Sequence, residues 1–371
     1  MISTLVLTPI PSPYHVELFD AIEAAGSIRL RILYAAPSFP DRLWKVPQIH
    51  HDHLFLIDLT TSEQQDAILE PDLVIFSGYN SLGFGKLISK RHRSSKPWVF
   101  WGERPGFLIP RFLGSLYRRL AFSAIHQSKA PVWGIGRWAA DAYRKELGSD
   151  RLYLNVPYFS DLDPYLSIER DWGASGACRF MFSGNLVRRK GVDLLAAAFM
   201  RLKKRGHDAE LHLVGDGPLK NSIRSKTSTV ADRVHFHGFQ QWSDLPKFYA
   251  NADVLCAPSL YDGWGMIVPE GLAAGMPVIS TVMTGAANEL ITENCGWLIP
   301  ADNEDALLGA MVQAVMLPAA TRKTMSERAR LTGQNQNVKS GAKRFCEACE
   351  LSFLEWNRSK LVPSNNISSQ L

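Results

Sequence analysis

Cysteine is scarce in this chain: five residues in 371, an odd number scattered along the length, which excludes a disulfide framework. Cys346 and Cys349 form a Cys-x-x-Cys pair inside a helical pattern with no second pair, so a structural place is expected rather than a metal or redox half-site. A reducing, cytoplasmic compartment is the matching expectation. No window approaches the roughly 18 consecutive apolar residues of a membrane-spanning helix. The opening "MISTLVLTPIPSP" has no basic leader, and Pro9 breaks its apolar run early, which suits a first strand rather than a signal peptide.

What is present is apolar and periodic. Hydrophobic residues make up 46% of the chain and charged residues 21%, enough for two cores in a length beyond that of most single ones. Disorder is expected only in the tail "VPSNNISSQL". Short β-branched runs alternate with helical stretches from the start. "STLVLTP", "LRILYAA", "DLVIFSG", "PWVFWG" and "APVWGIG" read as buried strands of a first half. "CRFMFSGN", "AELHLVGDG", "RVHFHGF", "ADVLCAPS", "MPVISTV" and "CGWLIPA" repeat the arrangement in a second. The expected class is α/β, with two doubly wound, Rossmann-like parallel sheets. The seam falls near "VPYFSDLDPYLSIERDWGASGA", which places a first domain at 1–160 and a second at 170–344. A helix from about 345 to 360, in "AKRFCEACELSFLEW", is positioned to cross back to the first domain.

Net charge is only +5, but it is unevenly spread. Between Lys86 and Arg119 there are nine basic residues (Lys86, Lys90, Arg91, Arg93, Lys96, Arg104, Arg111, Arg118, Arg119) against one acid, Glu103. Within that run Phe112, Leu116 and Leu120 recur near helical spacing, with Leu113 and Tyr117 beside them. Two readings stay open: a core-packed helix with a solvated basic edge, or a peripheral element on an anionic membrane surface at the inner face of the cell membrane. Nucleic acid is not expected as a partner, because no reading helix or stacking motif accompanies the charge.

Two stretches carry chemistry. In "FSGNLVRRKGVDLLAAAF" a strand ends at Phe182, Gly184 lets the chain turn closely, and Lys190 with Gly191 opens a helix. A helix N-terminus with a lysine at its mouth suits a phosphate. The stretch has neither the P-loop order nor the G-x-G-x-x-G fingerprint, so neither NTP hydrolysis nor nicotinamide binding follows. In "SLYDGWGMIVPEGLAAGMPVIS" two carboxylates, Asp262 and Glu270, are separated by seven residues across a glycine-flanked tryptophan. A buried carboxylate is costly unless something satisfies it, and two acceptors spaced by a loop suit the hydroxyls of a nucleotide-sugar.

Taken together, "GNLVRRKG", "HLVGDGP", "VHFHGF", "ADVLCAPSLYDGWGMIVPEGLAAGMPVIST" and "GWLIPADNEDAL" resemble the C-terminal half of the retaining GT-B glycosyltransferases of family 4, over about 130 residues. The first half is similar in outline only. The resemblance implies two domains facing across a cleft, and no cofactor beyond a UDP- or GDP-sugar co-substrate. It implies donor-ribose binding by Glu270, contact of Asp262 with the transferred sugar, and diphosphate binding by Lys190. The N–H groups of Gly263, Trp264, Gly265, Met266, Ile267 and Val268 would meet the diphosphate and sugar, and the base would lie by Gly238 and Phe239. Asn185 stands where the family usually has an arginine beside Gly184, which leaves Arg189 or Arg188 to supply that cation. Asp262 replaces the usual glutamate, one methylene shorter. Glu103 stands where many members have a histidine at the reacting centre; a catalytic carboxylate and a plain partner for Arg104 or Arg111 are both open for it. Tyr14 and His15, after the first strand, are candidate acceptor contacts.

Other motifs have plainer readings. "HHDH" at 50–53 lacks a metal-site spacing and reads as a solvated strand edge; His235 and His237 read as packed or close to the base; "DLD" at 161–163 reads as linker, and no metal is expected. The leading expectation is transfer of a sugar to a saccharide or lipid-linked saccharide. The alternatives are a nucleotide-sugar epimerase or hydrolase of the same shape, and a non-catalytic nucleotide-sugar-binding protein.

Overall fold

The computed structural model describes residues 1–40, 42–78, 83–105, 111–171 and 176–361. Thirteen strands fall into two all-parallel sheets among these residues. The first comprises β1 (Ser3–Thr8), β2 (Arg29–Tyr34), β3 (His53–Phe55), β4 (Leu73–Ser77), β5 (Trp98–Gly102), β6 (Val132–Gly134) and β7 (Tyr153–Asn155), ordered β3-β2-β1-β4-β5-β6-β7. The second comprises β8 (Cys178–Ser183), β9 (Ala209–Val214), β10 (Val234–Gly238), β11 (Val254–Ala257), β12 (Val278–Thr281) and β13 (Gly296–Ile299), ordered β10-β9-β8-β11-β12-β13. The central strands are buried on both faces, which is why they read as unbroken apolar runs and not as alternation. The architecture is the doubly wound α/β class expected. The short edge strands β3 and β7 escaped the sequence reading, since three residues carry too little periodicity.

The linker and the C-terminal helix join the two units into one apolar mass. Phe159, Leu162 and Tyr165 of the linker share a buried cluster with Phe19 of the first unit and with Leu272 and Met276 of the second. The final helix spans Val338–Leu361, starting earlier than its sequence pattern suggested, and packs along the Pro13–Ala25 helix. Phe345 from this helix lies edge-on to Trp133 and Trp101 of the first sheet. All five cysteines are free and buried, Cys346 and Cys349 among them.

Several local expectations are corrected. His51 is not at a solvated edge: it is buried, 2.6 Å from Asp20 Oδ1 and 3.0 Å from the Tyr34 hydroxyl. Of the eight basic residues in the 86–119 run whose side chains are described, two are internal. Arg91 is fully buried and donates to the carbonyls of Ile68, Pro71, Asp72 and Pro97. Arg118 turns inward to pair with Glu146, Nε to Oε1 at 2.8 Å. The Arg111–Ala121 helix nonetheless leaves Leu113, Leu116, Tyr117 and Leu120 exposed, so its apolar stripe does not face the core. The side chains of Arg111 and Phe112 lie outside the described residues.

Candidate active site

Ligands in open α/β sheets gather where neighbouring strands send their connections to opposite faces. In the second sheet that point lies between β8 and β11, and the two conspicuous motifs follow those two strands. After β8 the chain passes Gly184 and Asn185, makes a turn at Arg188–Lys190, and enters the Val192–Lys204 helix through Gly191 at φ 68°. A side-chain carbon on Gly191 would overlap the Pro258 carbonyl, so only glycine lets this loop seat against the end of β11. Lys190 Nζ thereby comes to 2.5 Å from Asp262 Oδ2, with both side chains largely buried. Arg189 donates to the Tyr261 carbonyl at 2.8 Å, and its own carbonyl accepts the Leu260 N–H at 2.8 Å, stitching the two loops together.

Asp262 is held by its backbone, its N–H donating to the Met283 carbonyl at 2.9 Å. Beyond it, the N–H groups of Gly263, Trp264, Gly265 and Met266 make no hydrogen bond to another backbone carbonyl among the described residues. Ile267 and Val268 begin the Ile267–Ala273 helix, where the Val268 N–H is returned to the Gly265 carbonyl at 3.0 Å. Glu270 lies on that helix, 1% exposed, accepting the Tyr249 hydroxyl at 2.5 Å. Burial pushes its carboxyl up to about 7, although Tyr249 and the nearby Lys190 charge act in the other direction.

Glu103 follows β5 in the first unit and reaches across to the second. Its carboxylate lies so close to Gly263 that a Cβ there would collide with it, and Gly263 is the first of the loop N–H groups just described. The Tyr143 hydroxyl donates to the Glu103 carbonyl at 2.8 Å, fixing the backbone from behind. Glu103 is exposed as a residue, yet its carboxylate is crowded by the protein atoms of the opposite loop. That enclosure, and then the Asp262 charge, hold the carboxyl above its usual range; Tyr158, Lys190 and Arg189 oppose the shift. The neighbouring cavity, about 750 Å³, is walled by Tyr14, Trp44, Trp101 and Tyr158, with Glu103 and Arg104 at its rim.

Tyr14 and His15 both line that cavity. Burial pushes the Tyr14 phenol up to about 12. His15 is 4% exposed, stacked on Phe19 at 5.5 Å, with Nδ1 3.0 Å from Ser12 Oγ; burial lowers it to about 3, so the ring is neutral. Trp264 contributes backbone only, because its ring is buried against Gly136 of the first unit. Lys190, Asp262, Glu103 and the 263–266 backbone are brought together, with Glu270 buried behind them. Asn185 and Arg188 face solvent, and Gly238 and Phe239 sit apart at the end of β10 with Phe239 37% exposed. Asp163 of "DLD" starts a short linker helix and accepts from Asn337 at 2.5 Å.

Sequence reasoning missed the groups that clasp the cleft. Tyr261 donates to the Arg104 carbonyl at 2.7 Å, Trp242 donates to Glu17 at 2.7 Å, and Asn155 donates to Glu289 at 2.9 Å, each contact joining one unit to the other. Isolated tyrosines, tryptophans and a helix-borne glutamate carry no spacing signal that distinguishes such roles from packing. Arg104 also stacks on Trp138, its guanidinium carbon 3.5 Å from a ring centroid.

Comparison with known proteins bears on the second domain and on the fold. Residues 177–316 match the family described as Glycosyl transferases group 1. The chain is 29% identical over 159 residues to the lipopolysaccharide glucosyltransferase WaaG of Escherichia coli, covering 42% of each chain. It is 31% identical over 140 residues to a GDP-mannose-dependent alpha-(1-6)-phosphatidylinositol monomannoside mannosyltransferase of Mycobacterium tuberculosis, covering 35% of this chain and 36% of the relative. The aligned stretch is therefore less than half of either relative. Over the whole fold, Anabaena Alr3699/HepE, crystallised with UDP and glucose, superposes with a TM-score of 0.70 at 18% identity, covering 94% of this chain and all of that one.

Proposed function

We propose that this chain, whose residues 177–316 match the Glycosyl transferases group 1 family and whose two-sheet fold is that of the GT-B glycosyltransferases, moves a sugar with retention from a UDP- or GDP-sugar to a saccharide or lipid-linked saccharide acceptor. The observation that carries this reading is the Lys190–Asp262 pair lying opposite Glu103 across the cleft. Lys190 is paired with Asp262. A bound diphosphate takes the ammonium, and a sugar hydroxyl replaces it on Asp262, so donor binding exchanges one charge-assisted contact for two. The unengaged N–H groups at 263–266 and Lys190 then stabilise the charge that develops on the departing diphosphate, with no divalent ion required in this scheme. The anomeric C–O bond to the β-phosphate breaks, its electron pair leaving with the nucleoside diphosphate. The acceptor oxygen forms the new bond, and its proton is taken by Glu103, whose raised affinity for a proton fits it to that task. Exposed Phe239 offers a face for the base, and the ring-lined cavity seats the acceptor.

The exposed Leu113, Leu116, Tyr117 and Leu120 stripe, with Arg119 exposed on the same helix, supports docking of the first domain on an anionic membrane surface at the cytoplasmic face. No described helix is long and apolar enough to cross a membrane. The test is a thermal-shift panel of UDP- and GDP-sugars, followed by transfer assays with saccharide and lipid-linked acceptors and NMR assignment of the product anomer. Stabilisation by one donor and an unchanged anomeric configuration are expected. Donor turnover to a free sugar that ignores every acceptor would replace transferase with hydrolase.

A further inference from the structure

At the free edge of the second sheet, away from the cleft charges, parallel pairing sets His235 of β10 beside His212 of β9. Strand alternation places Glu210 on the same face as His212, and His237 on the same face as His235. The result is three imidazoles and a carboxylate on one small patch. Glu210 Oε2 lies 3.5 Å from His212 Nε2 and 3.5 Å from His235 Nε2. Neither Nε2 has a hydrogen-bond partner or appreciable contact with water, although each belongs to a side chain that is partly exposed.

We propose that Glu210 Oε2, His212 Nε2 and His235 Nε2 form a binding site for a zinc-class divalent transition ion, with a fourth position open to water. Tetrahedral zinc with bonds of about 2.0–2.1 Å holds its ligand atoms roughly 3.4 Å apart, close to the spacing of Glu210 with each imidazole. The donor set, two imidazoles and one carboxylate, suits such an ion and is poor for magnesium. The surroundings are those of a supported site. His237 Nε2 stands 3.1 Å from His212 Nδ1 and, as acceptor of the Nδ1–H, fixes the tautomer that leaves the His212 Nε2 lone pair free. Arg233 holds the other oxygen of Glu210 at 3.3 Å, leaving Oε2 turned toward the rings. The His212 and His235 rings are stacked with centroids 4.6 Å apart, and the ligand atoms of Glu210, His212 and His235 all lie within 4.8 Å of one another. An ion there ties the edge strand β10 to β9 immediately before Gly238. Here His235 and His237 serve as ligand and orienting group rather than as packing.

The test uses the full chain without a histidine tag, stripped with chelator. Titration with zinc chloride should show about one bound equivalent by calorimetry and a rise in Tm, with magnesium chloride giving neither. Cobalt chloride should give the visible absorption of a tetrahedral nitrogen and oxygen site, bleached by added zinc. His235→Asn, at a partly exposed position, should keep the native circular dichroism and lose at least on the order of 100-fold in zinc affinity; His237→Phe should lose roughly 10–100-fold. Absence of zinc binding by the wild type, or affinity unchanged in His235→Asn, overturns the assignment.

Discussion

The two halves of the cleft solve different problems with different materials. The second domain presents charge and backbone: Lys190, Asp262, Glu270 and a run of N–H groups bonded to no backbone carbonyl, all placed by the segments that follow β8 and β11 at one strand crossover. The first presents rings around a cavity of about 750 Å³, with Glu103 as the acid that reaches across. A diphosphate leaving group is the same object in every donor, so few arrangements serve it. Apolar sugar faces can be covered by aromatic rings in many ways. The family match confined to residues 177–316 follows that division.

The sharpest way to break the comparison is to change the one residue of the first domain assigned to chemistry. Glu103→Gln keeps the shape and removes the proton acceptor, so turnover should fall about 10²–10⁴-fold, the usual worth of general acid–base catalysis. Donor affinity, read by calorimetry, should stay as in the wild type. Loss of donor binding together with turnover would show that the first domain belongs to the donor site. Glu270→Ala inverts the pattern. Removing a charged hydrogen-bond acceptor costs about 1.5–3 kcal/mol, which raises the donor Kd on the order of 10–100-fold, while acceptor KM should not move.

Legibility in the sequence followed the same division. The central strands could be read because they are buried on both faces, and the positions of Lys190, Asp262 and Glu270 because one motif order fixes them. The cleft clasps Tyr261–Arg104 and Trp242–Glu17 could not be read, because each joins residues more than a hundred positions apart through side chains with ordinary packing roles. The inward turn of Arg118 depends on Glu146, a tertiary fact that helical periodicity does not carry. Asp262 showed its spacing but not that it holds Lys190.

A smaller effect tests whether the interface between the halves responds to pH. Burial raises Glu17 and Glu270 each to about 7, and Glu17 accepts the Trp242 clasp and the Asp161 N–H. A carboxyl raised in the folded state binds more protons there than in the unfolded chain. Its stabilising contribution is complete below the unfolded value and declines as pH rises through the folded one. The Tm of the wild type should therefore fall between about pH 4.5 and 7, each group accounting for up to about 3 kcal/mol. Glu17→Gln and Glu270→Gln should each flatten that slope when Tm is scanned across the window. A slope unchanged from the wild type in both variants would locate the titration elsewhere.

The mildest effect concerns the outer wall of the first domain, where Leu120 is 77% exposed on the Arg111–Ala121 helix. If that stripe rests on a lipid surface, Leu120 moves from water only part-way into the acyl boundary. Gaining roughly a third of the 1.5–3 kcal/mol for full burial of a leucine corresponds to about a threefold change in partitioning. Leu120→Ser should accordingly weaken sedimentation with anionic vesicles about threefold, and salt should weaken the wild type and the variant alike by screening the basic flank. Vesicle binding that responds to salt but not to Leu120→Ser would make the contact electrostatic alone. Binding that responds to neither would return the helix to a solvated edge, and the first domain would then meet its acceptor in water.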